Sequence, residues 1–499
     1  MNFRPHKAVL EKFEQDAERT PERYRLHLAL LALLGYVYPL GLVLCVLVGS
    51  SWGSGYLLDG GALPALMLLT PAGVALALLA RLLTRAVPPG QGQPLTATQA
   101  PKLFAMIDKI QIRLKTPAFA NILLDDSLTL SIHQLPRFGI PGLGRAELSA
   151  GLPLMQVLSR KEFAALLAHE HARLANTEDA FAVWIHRLRS HWLALHAQYA
   201  QRKTLLDLPY AYFLRAYVPR FASAGLPIVC QLALAADRAA TEIVGAQTVA
   251  DALIADHVRS RFISQRFWKE LWARADQQPA PAYLPHGSMR TALHAGLTRA
   301  EAQIWLEEAL RTQTDLEAEA PCLQDRLLAL DCPPELPLDA THSAAQALFG
   351  EHLPALQRRF DQQWLADNEL AWRARFHEVS SAHEITRRLD ERDHSLLGPD
   401  ELEHYAQALI TVGRQAEAAP LLCRAADHPH GSARAAFQAA RLLQARNDET
   451  AIRYLELAMD RDAQLIENAT IEAAHFYEAR GDSERAGYYW DRLARRHAA

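Results

Sequence analysis

Two uncharged apolar runs near the N-terminus constrain this chain more than anything else in it. Leu28–Gly49 is 22 residues and Ala62–Ala80 is 19 residues, and neither holds a charged side chain. About 20 apolar residues in a helix cross a hydrocarbon layer of about 30 Å. Pro64 and Pro71 lie in the second run, where a membrane helix tolerates them at some cost. The segment between the runs has Asp59 as its one charge, whereas Lys12, Arg19, Arg23 and Arg25 precede the first run and Arg81 and Arg85 follow the second. Cations gather on the cytoplasmic side of a span. The expectation is a two-span transmembrane hairpin over residues 26–86, a cytoplasmic N-terminal segment over 1–25, and the lipid bilayer as a partner. A cleaved secretory leader fits less well, because the first run is too long and acids precede it. A buried soluble hairpin is the other alternative.

The remaining chain is long enough, at 499 residues, for two to four domains. The net charge of -4 gives no sign of a nucleic-acid surface. Cys45, Cys230, Cys322, Cys332 and Cys423 are odd in number and contain no CxxC pair, so neither a disulfide framework nor a thiolate zinc site is implied. The composition of Pro88 to Pro94 marks a linker. Ala100–Leu114 has helical periodicity; Asn121–Leu124, Leu128–Ile132 and Glu147–Pro153 read as short strands. A long helix is expected from Arg160 to about Arg202, with Ser159 and Glu162 as its capping pair. A second helix is expected over Cys230–Val244. Further helix follows from Ala344 to about Arg392, with Trp364 and Trp372 as core anchors.

The C-terminus repeats. Gly413 and Gly481 occupy equivalent turn positions 68 residues apart, followed at equal offsets by Ala418 and Ala486; Asn447 and Ala451 mark a middle unit. A period near 34 with paired helices is the pattern of tetratricopeptide repeats. Plain helical hairpins are the simpler alternative. Either way the tail presents a surface to a protein partner. The fold class is therefore mostly α with a small β-sheet, divided as 96–330, a helical connector over 331–395, and helical repeats over 396–499.

The chemistry concentrates in Phe163-Ala164-Ala165-Leu166-Leu167-Ala168-His169-Glu170. In an H-E-x-x-H helix, two histidines one turn apart hold Zn²⁺ and the glutamate activates the metal-bound water. Here the fourth position after His169 is Arg173. His171 points about 200° away at 3.6 residues per turn and cannot substitute. His186 is 17 residues beyond His169, outside ligand reach along a continuous helix; it, His191 and His196 are expected at the surface or among lipid headgroups.

Around this motif the stretch Ala150-Gly151-Leu152-Pro153-Leu154-Met155, the segment Phe213 to Phe221, the block Ala235-Ala236-Asp237-Arg238-Ala239-Ala240 and the element Pro321 to Leu327 resemble, in order and spacing, the HtpX-like and CAAX-prenyl-protease-like membrane zinc metallopeptidases. The resemblance covers roughly residues 25 to 330. It implies a gluzincin-like peptidase domain in a bacterial inner membrane, with the N-terminus and main domain in the cytoplasm. It also implies His169 as a zinc ligand, Glu170 as general base, and Asp237 and Arg326 as supporting residues. The departures fall on the chemistry. Arg173 stands for the second ligand, Ala233 for the glutamate that is the third, and Ala320 for a further groove histidine. His133, on the strand that borders the substrate groove in that family, is the one alternative ligand candidate.

A catalytic zinc needs three protein ligands and a water. A cation at about 4 Å repels a divalent ion by on the order of 8 kcal/mol at an effective dielectric near 20, against about 10–16 kcal/mol for a complete structural zinc site. The expectation is no resident metal or other cofactor, with Arg173 filling the vacated volume and pairing with Glu170 or Asp237. The chain then acts as a pseudopeptidase that binds a peptide or protein partner through its groove and its repeats. The alternative is an active zinc endopeptidase with a non-standard ligand set, acting in membrane-protein turnover; a third reading leaves all function to the repeats.

Overall fold

Helical periodicity dominates the sequence, and the structure is mostly helical with one small mixed sheet. The computed structural model describes residues 13–498 apart from 14, 18, 59–61, 85–91, 138–139, 176–178, 201–207 and 338–340. Lys12, Asp59, Arg85 and most of the Pro88–Pro94 linker lie outside the described residues. The chain folds as two compact units, Met1–Trp268 with Pro285–Gln362, and Lys269–Leu284 with Gln363–Ala499.

In the first unit the chain runs α1 (Pro21–Leu34), α2 (Val37–Leu58), α3 (Ala62–Thr84), β1 (Gln93–Pro94), α4 (Pro101–Leu114), β2 (Asn121–Asp125), β3 (Leu130–Arg137), β4 (Ile140–Gly151), α5 (Leu152–Val157), α6 (Arg160–Ala175), α7 (Ala180–Ala200), α8 (Leu208–Val244) and α9 (Ala246–Arg261). After a single π-helical turn, Phe262–Phe267, α10 (Trp268–Ala273) passes into the second unit; α11 (Pro285–Gly296), α12 (Arg299–Arg311), α13 (Leu323–Ala329), α14 (Ala344–Phe349) and the start of α15 (Leu353–Asp390) belong to the first. The sheet order is β1-β2-β4-β3: β2 and β4 are parallel, the outer pairs antiparallel, and β3 is an edge strand. β4 leads directly into α5, so the sheet delivers the chain to α6. That helix opens with the expected capping pair: Ser159 Oγ accepts from Glu162 N, and Glu162 Oε2 from Ser159 N.

The first apolar run is not one helix. α1 ends at Leu34 and α2 starts at Val37. The inner face of α1, Tyr24, Leu28 and Ala32, is buried with Ile185, Trp192, Leu214 and Phe221. Its apolar residues therefore serve two environments, a domain core on one side and open surface on the other. Among the described residues only Tyr210–Val244, within α8, is long and apolar enough to qualify as a span, and 72% of its apolar window is buried inside the structure. The apolar stretches of α2 and α3, Leu40–Trp52 and Leu66–Ala77, are shorter. The two helices lie against each other, with Gly49 close to Ala72.

The expected helix from Arg160 to Arg202 is also two. α6 stops at Ala175, and Asp179 opens α7 by accepting from Ala182 N at 2.9 Å. α7 then packs along α8.

The second unit joins the remainder of α15 to six helices: α16 (Pro399–Thr411), α17 (Gln415–Asp427), α18 (Ala433–Gln444), α19 (Thr450–Arg461), α20 (Ile466–Ala479) and α21 (Ser483–Ala498). They form three hairpins with a common alanine-rich core. Gly413, Asn447 and Gly481 each take a left-handed φ, at 83°, 54° and 75°, which glycine and asparagine adopt most readily at a helix end. The alanines after them, Ala418, Ala451 and Ala486, are all buried. The segment 269–284 belongs here rather than with residues 96–330. Trp272 contacts Trp364 and Trp372, Trp372 Nε1 donates to Gln278 O at 2.9 Å, and Arg375 pairs with Asp276 at 2.7 Å.

Candidate functional site

The site is built on the last two turns of α6, with α8 beside it, α7 folded back over it and the segment 315–326 across it. His169 is buried and its Nδ1 sits 2.7 Å from Asp237 Oδ1. Asp237, 1% exposed, receives a forked pair from Arg326: Nε to Oδ2 at 2.8 Å and Nη2 to Oδ1 at 2.7 Å. Burial pushes the Asp237 carboxyl up, but the Arg326 and His169 hydrogen bonds outweigh it and bring it down to about 2. An ionised Asp237 accepts a hydrogen bond from His169 Nδ1, and His169 Nε2 lies 3.9 Å from Glu170 Oε1. A carboxylate behind a histidine in this way is the usual support for a metal-binding imidazole. Asp237 is thus engaged by Arg326 and His169, and does not pair with Arg173.

Arg173 turns inward, with its side chain 12% exposed. Nη1 donates to Glu170 Oε1 at 2.9 Å. Nη2 donates to His186 Nε2 at 2.7 Å and, more distantly, to Glu319 Oε2 at 3.4 Å. His186 is therefore part of the site and not a surface residue. The break between α6 and α7 folds it back onto the helix it was expected to extend. Burial, with the Arg173 charge beside it, holds His186 down to about 3, so Nε2 is an unprotonated acceptor. Glu319 Oε1 also accepts from Ser190 Oγ at 3.3 Å. Burial raises the Glu319 carboxyl, but Arg173 and His186 bring it below its ordinary value.

The strap that carries Glu319 is held from beneath by Arg189, which is fully buried. Its Nε donates to Ala222 O at 3.2 Å, Nη1 to Ala318 O at 3.0 Å, and Nη2 to Leu316 O. Sequence reasoning passed over both Arg189 and Glu319. A lone arginine that binds backbone carbonyls leaves no pattern in sequence.

The other candidates fall elsewhere. His171 is buried, with Nδ1 3.1 Å from Thr116 Oγ1 and its ring against Phe119. Ala233 is buried in α8 and offers no donor. His133 lies on β3 opposite Glu147, with Nε2 2.9 Å from Ser131 Oγ. Among the described residues it has no hydrogen bond to the His169 cluster, and no group of three or more His, Cys, Asp or Glu side chains is gathered to hold a metal. The donor set does not fit a peptidase zinc: of the two imidazoles present, His186 Nε2 faces the Arg173 guanidinium, Ala233 offers no donor, and the same guanidinium lies on Glu170.

Removal of that guanidinium is expected to be felt. Arg173→Met leaves Glu170 and His186 without their buried donor and should cost about 2–3 kcal/mol, somewhat under the range for breaking a fully buried pair. Denaturant unfolding of the full chain in detergent measures it. Adding Glu170→Gln to Arg173→Met should restore most of the loss. No restoration would mean that the Arg173–Glu170 pair is not what holds the site.

No family model matches the chain, and no curated protein or solved structure matches it. The geometry above is what bears on function.

Proposed function

We propose that the chain is a membrane-anchored, metallopeptidase-like pseudopeptidase that binds peptides or partner proteins at the cytoplasmic face of a bacterial inner membrane without hydrolysing them. The observation that carries this reading is the Arg173 guanidinium on Glu170. The carboxylate that would activate a metal-bound water is neutralised by an internal cation, and the helix is kept while the chemistry is withdrawn. Three further features support it. β3 is an edge strand, the kind of edge to which an extended peptide adds. The three C-terminal hairpins form a stacked array of the sort that presents a continuous surface to a protein. α2 and α3, 22 and 23 residues long, are each about 33 Å or more in length. They carry Leu40, Leu44, Leu47, Trp52, Leu63, Leu66 and Met67 on open surface, an apolar area that water does not favour.

Elemental analysis of the full chain, purified in detergent and equilibrated with zinc, tests the reading. Expected is well under one zinc per chain, rising toward one in the Arg173→His, Ala233→Glu double variant. Stoichiometric zinc in the unmodified chain, or proteolysis that Glu170→Gln abolishes, would favour the active endopeptidase instead.

A further inference from the structure

α1 carries apolar side chains on two opposite faces. Its inner face is fastened to α7 and α8. Tyr24 Oη donates to Ala224 O at 2.6 Å and Tyr217 Oη donates to Leu31 O at 3.0 Å. Gly35 lies so close to Tyr217 and Trp192 that a Cβ would come within 2.6 Å of the tyrosine oxygen. At the next level Tyr38 stacks on Phe213 at 5.4 Å and meets Tyr210 at a tilt at 5.1 Å. These contacts run antiparallel along the two helices, so the first turn of α8 lies beside the first turn of α2.

The outer face of α1 carries Leu26, Leu30, Leu33 and, past the break, Val37, each more than half exposed. Their spacing of three to four residues makes a single stripe. The stripe continues without a polar interruption into Leu40, Leu44 and Leu47 of α2. The exposed positions of α8 have different chemistry. Tyr212 is 79% exposed, Arg215 and Arg220 are exposed, and no acid occurs between Leu208 and Asp237. Tyrosine and arginine beside leucine is the combination that settles at a membrane interface, with aromatic and basic groups at headgroup level and leucines below.

We infer that the folded domain is clamped onto the membrane by α1 and the start of α8, with the Leu26–Val37 stripe in the acyl–headgroup boundary and Arg215 and Arg220 against anionic headgroups, instead of hanging from the α2–α3 hairpin on a tether. This rests on the reading of α2–α3 as a membrane anchor. A domain fixed in this way holds its groove at one height and orientation above the lipid, so the partner it fits is a segment close to the membrane surface.

Site-directed spin labelling of the full chain in nanodiscs tests the clamp. Cys45, exposed on α2, is kept as the hairpin reference in one sample, and single cysteines replace Leu30, Leu33, Tyr212 or Glu22 in a background lacking the native five. Collisions with oxygen and with an aqueous nickel chelate are compared. In nanodiscs of equal phosphatidylcholine and phosphatidylglycerol, labels at 30 and 33 should favour oxygen several-fold more than the label at 22. The label at 212 should be shielded from the chelate, and Arg215→Gln with Arg220→Gln should remove the extra shielding that phosphatidylglycerol gives over phosphatidylcholine alone. Labels at 30 and 33 that collide with the chelate while Cys45 does not would overturn the clamp and leave the hairpin standing. Chelate access at all three would overturn the anchor reading beneath it. Labels shielded from both agents and dipolar-broadened would assign the stripe to a second copy of the chain, which also overturns the clamp.

Discussion

Replacing Arg326 with methionine is expected to cost the first unit about 3–5 kcal/mol, the range for removing one partner of a buried ion pair. The carboxylate left behind, Asp237, is 1% exposed and loses both arms of the Arg326 fork. His169 remains as its one charged or chargeable neighbour in the cluster. With the guanidinium gone, burial is opposed only by the His169 contact, and a carboxyl now near 2 moves upward, toward the neutral acid. Arg326→Lys keeps a charge but cannot fork, so an intermediate loss is expected. Asp237→Asn added to Arg326→Met should recover a large part of the stability by removing the stranded charge. Denaturant titration of the full chain, read with a probe confined to the first unit because two units need not unfold together, measures these differences. A loss below about 1 kcal/mol for Arg326→Met would show that the pair is not a fully desolvated one.

Acidification should destabilise the same unit well above the pH at which carboxylates protonate. Burial brings His171 and His286 down to about 4, and burial with Arg173 brings His186 down to about 3. All three are neutral in the folded chain and take up protons near 6.5 when it unfolds. Between those limits the unfolded state binds more protons, so stability is fully present above about pH 6.5. It falls as the pH drops, until the folded-state values are passed. With three groups the slope reaches about 4 kcal/mol per pH unit at its steepest. Asp237 adds a loss of the same sign at lower pH, as its folded-state value near 2 is approached from the ordinary carboxylate range. The measurement is the denaturant midpoint from pH 8 to 4.5, repeated with His171→Gln, which should lower the slope by one proton. A flat midpoint between pH 7 and 5 would contradict the prediction.

Elements whose burial follows one local period were legible before any coordinates. α4, β2 and the capping pair of α6 lie within a residue or so of their expected places. Gly413, Asn447 and Gly481 sit between helices as their spacing suggested, and the structure adds that each has a left-handed φ. β1 is only two residues and has no periodicity to read. The division of the first apolar run was hidden for a different reason. Tyr24, Leu28 and Ala32 face a protein core while Leu26, Leu30 and Leu33 face outward, and hydropathy alone cannot tell one apolar environment from another. In the site, the local pair Arg173–Glu170 could be considered from helical spacing. His186 could not, because its place depends on a chain reversal after Ala175. The link between Asp237 and Arg326 spans 89 positions, and nothing local encodes it.

Arg189 grips the strap across the site by the carbonyls of Leu316 and Ala318, and main-chain oxygens are the same whatever side chain follows them. Substitution at position 318 should therefore be tolerated so long as the backbone path is kept, and the strap's sequence can drift between related chains while its position does not. Position 189 has no such latitude. In relatives of this protein, an arginine retained there beside a variable strap would be the mark of the same architecture, even where little of the surrounding sequence could still be aligned.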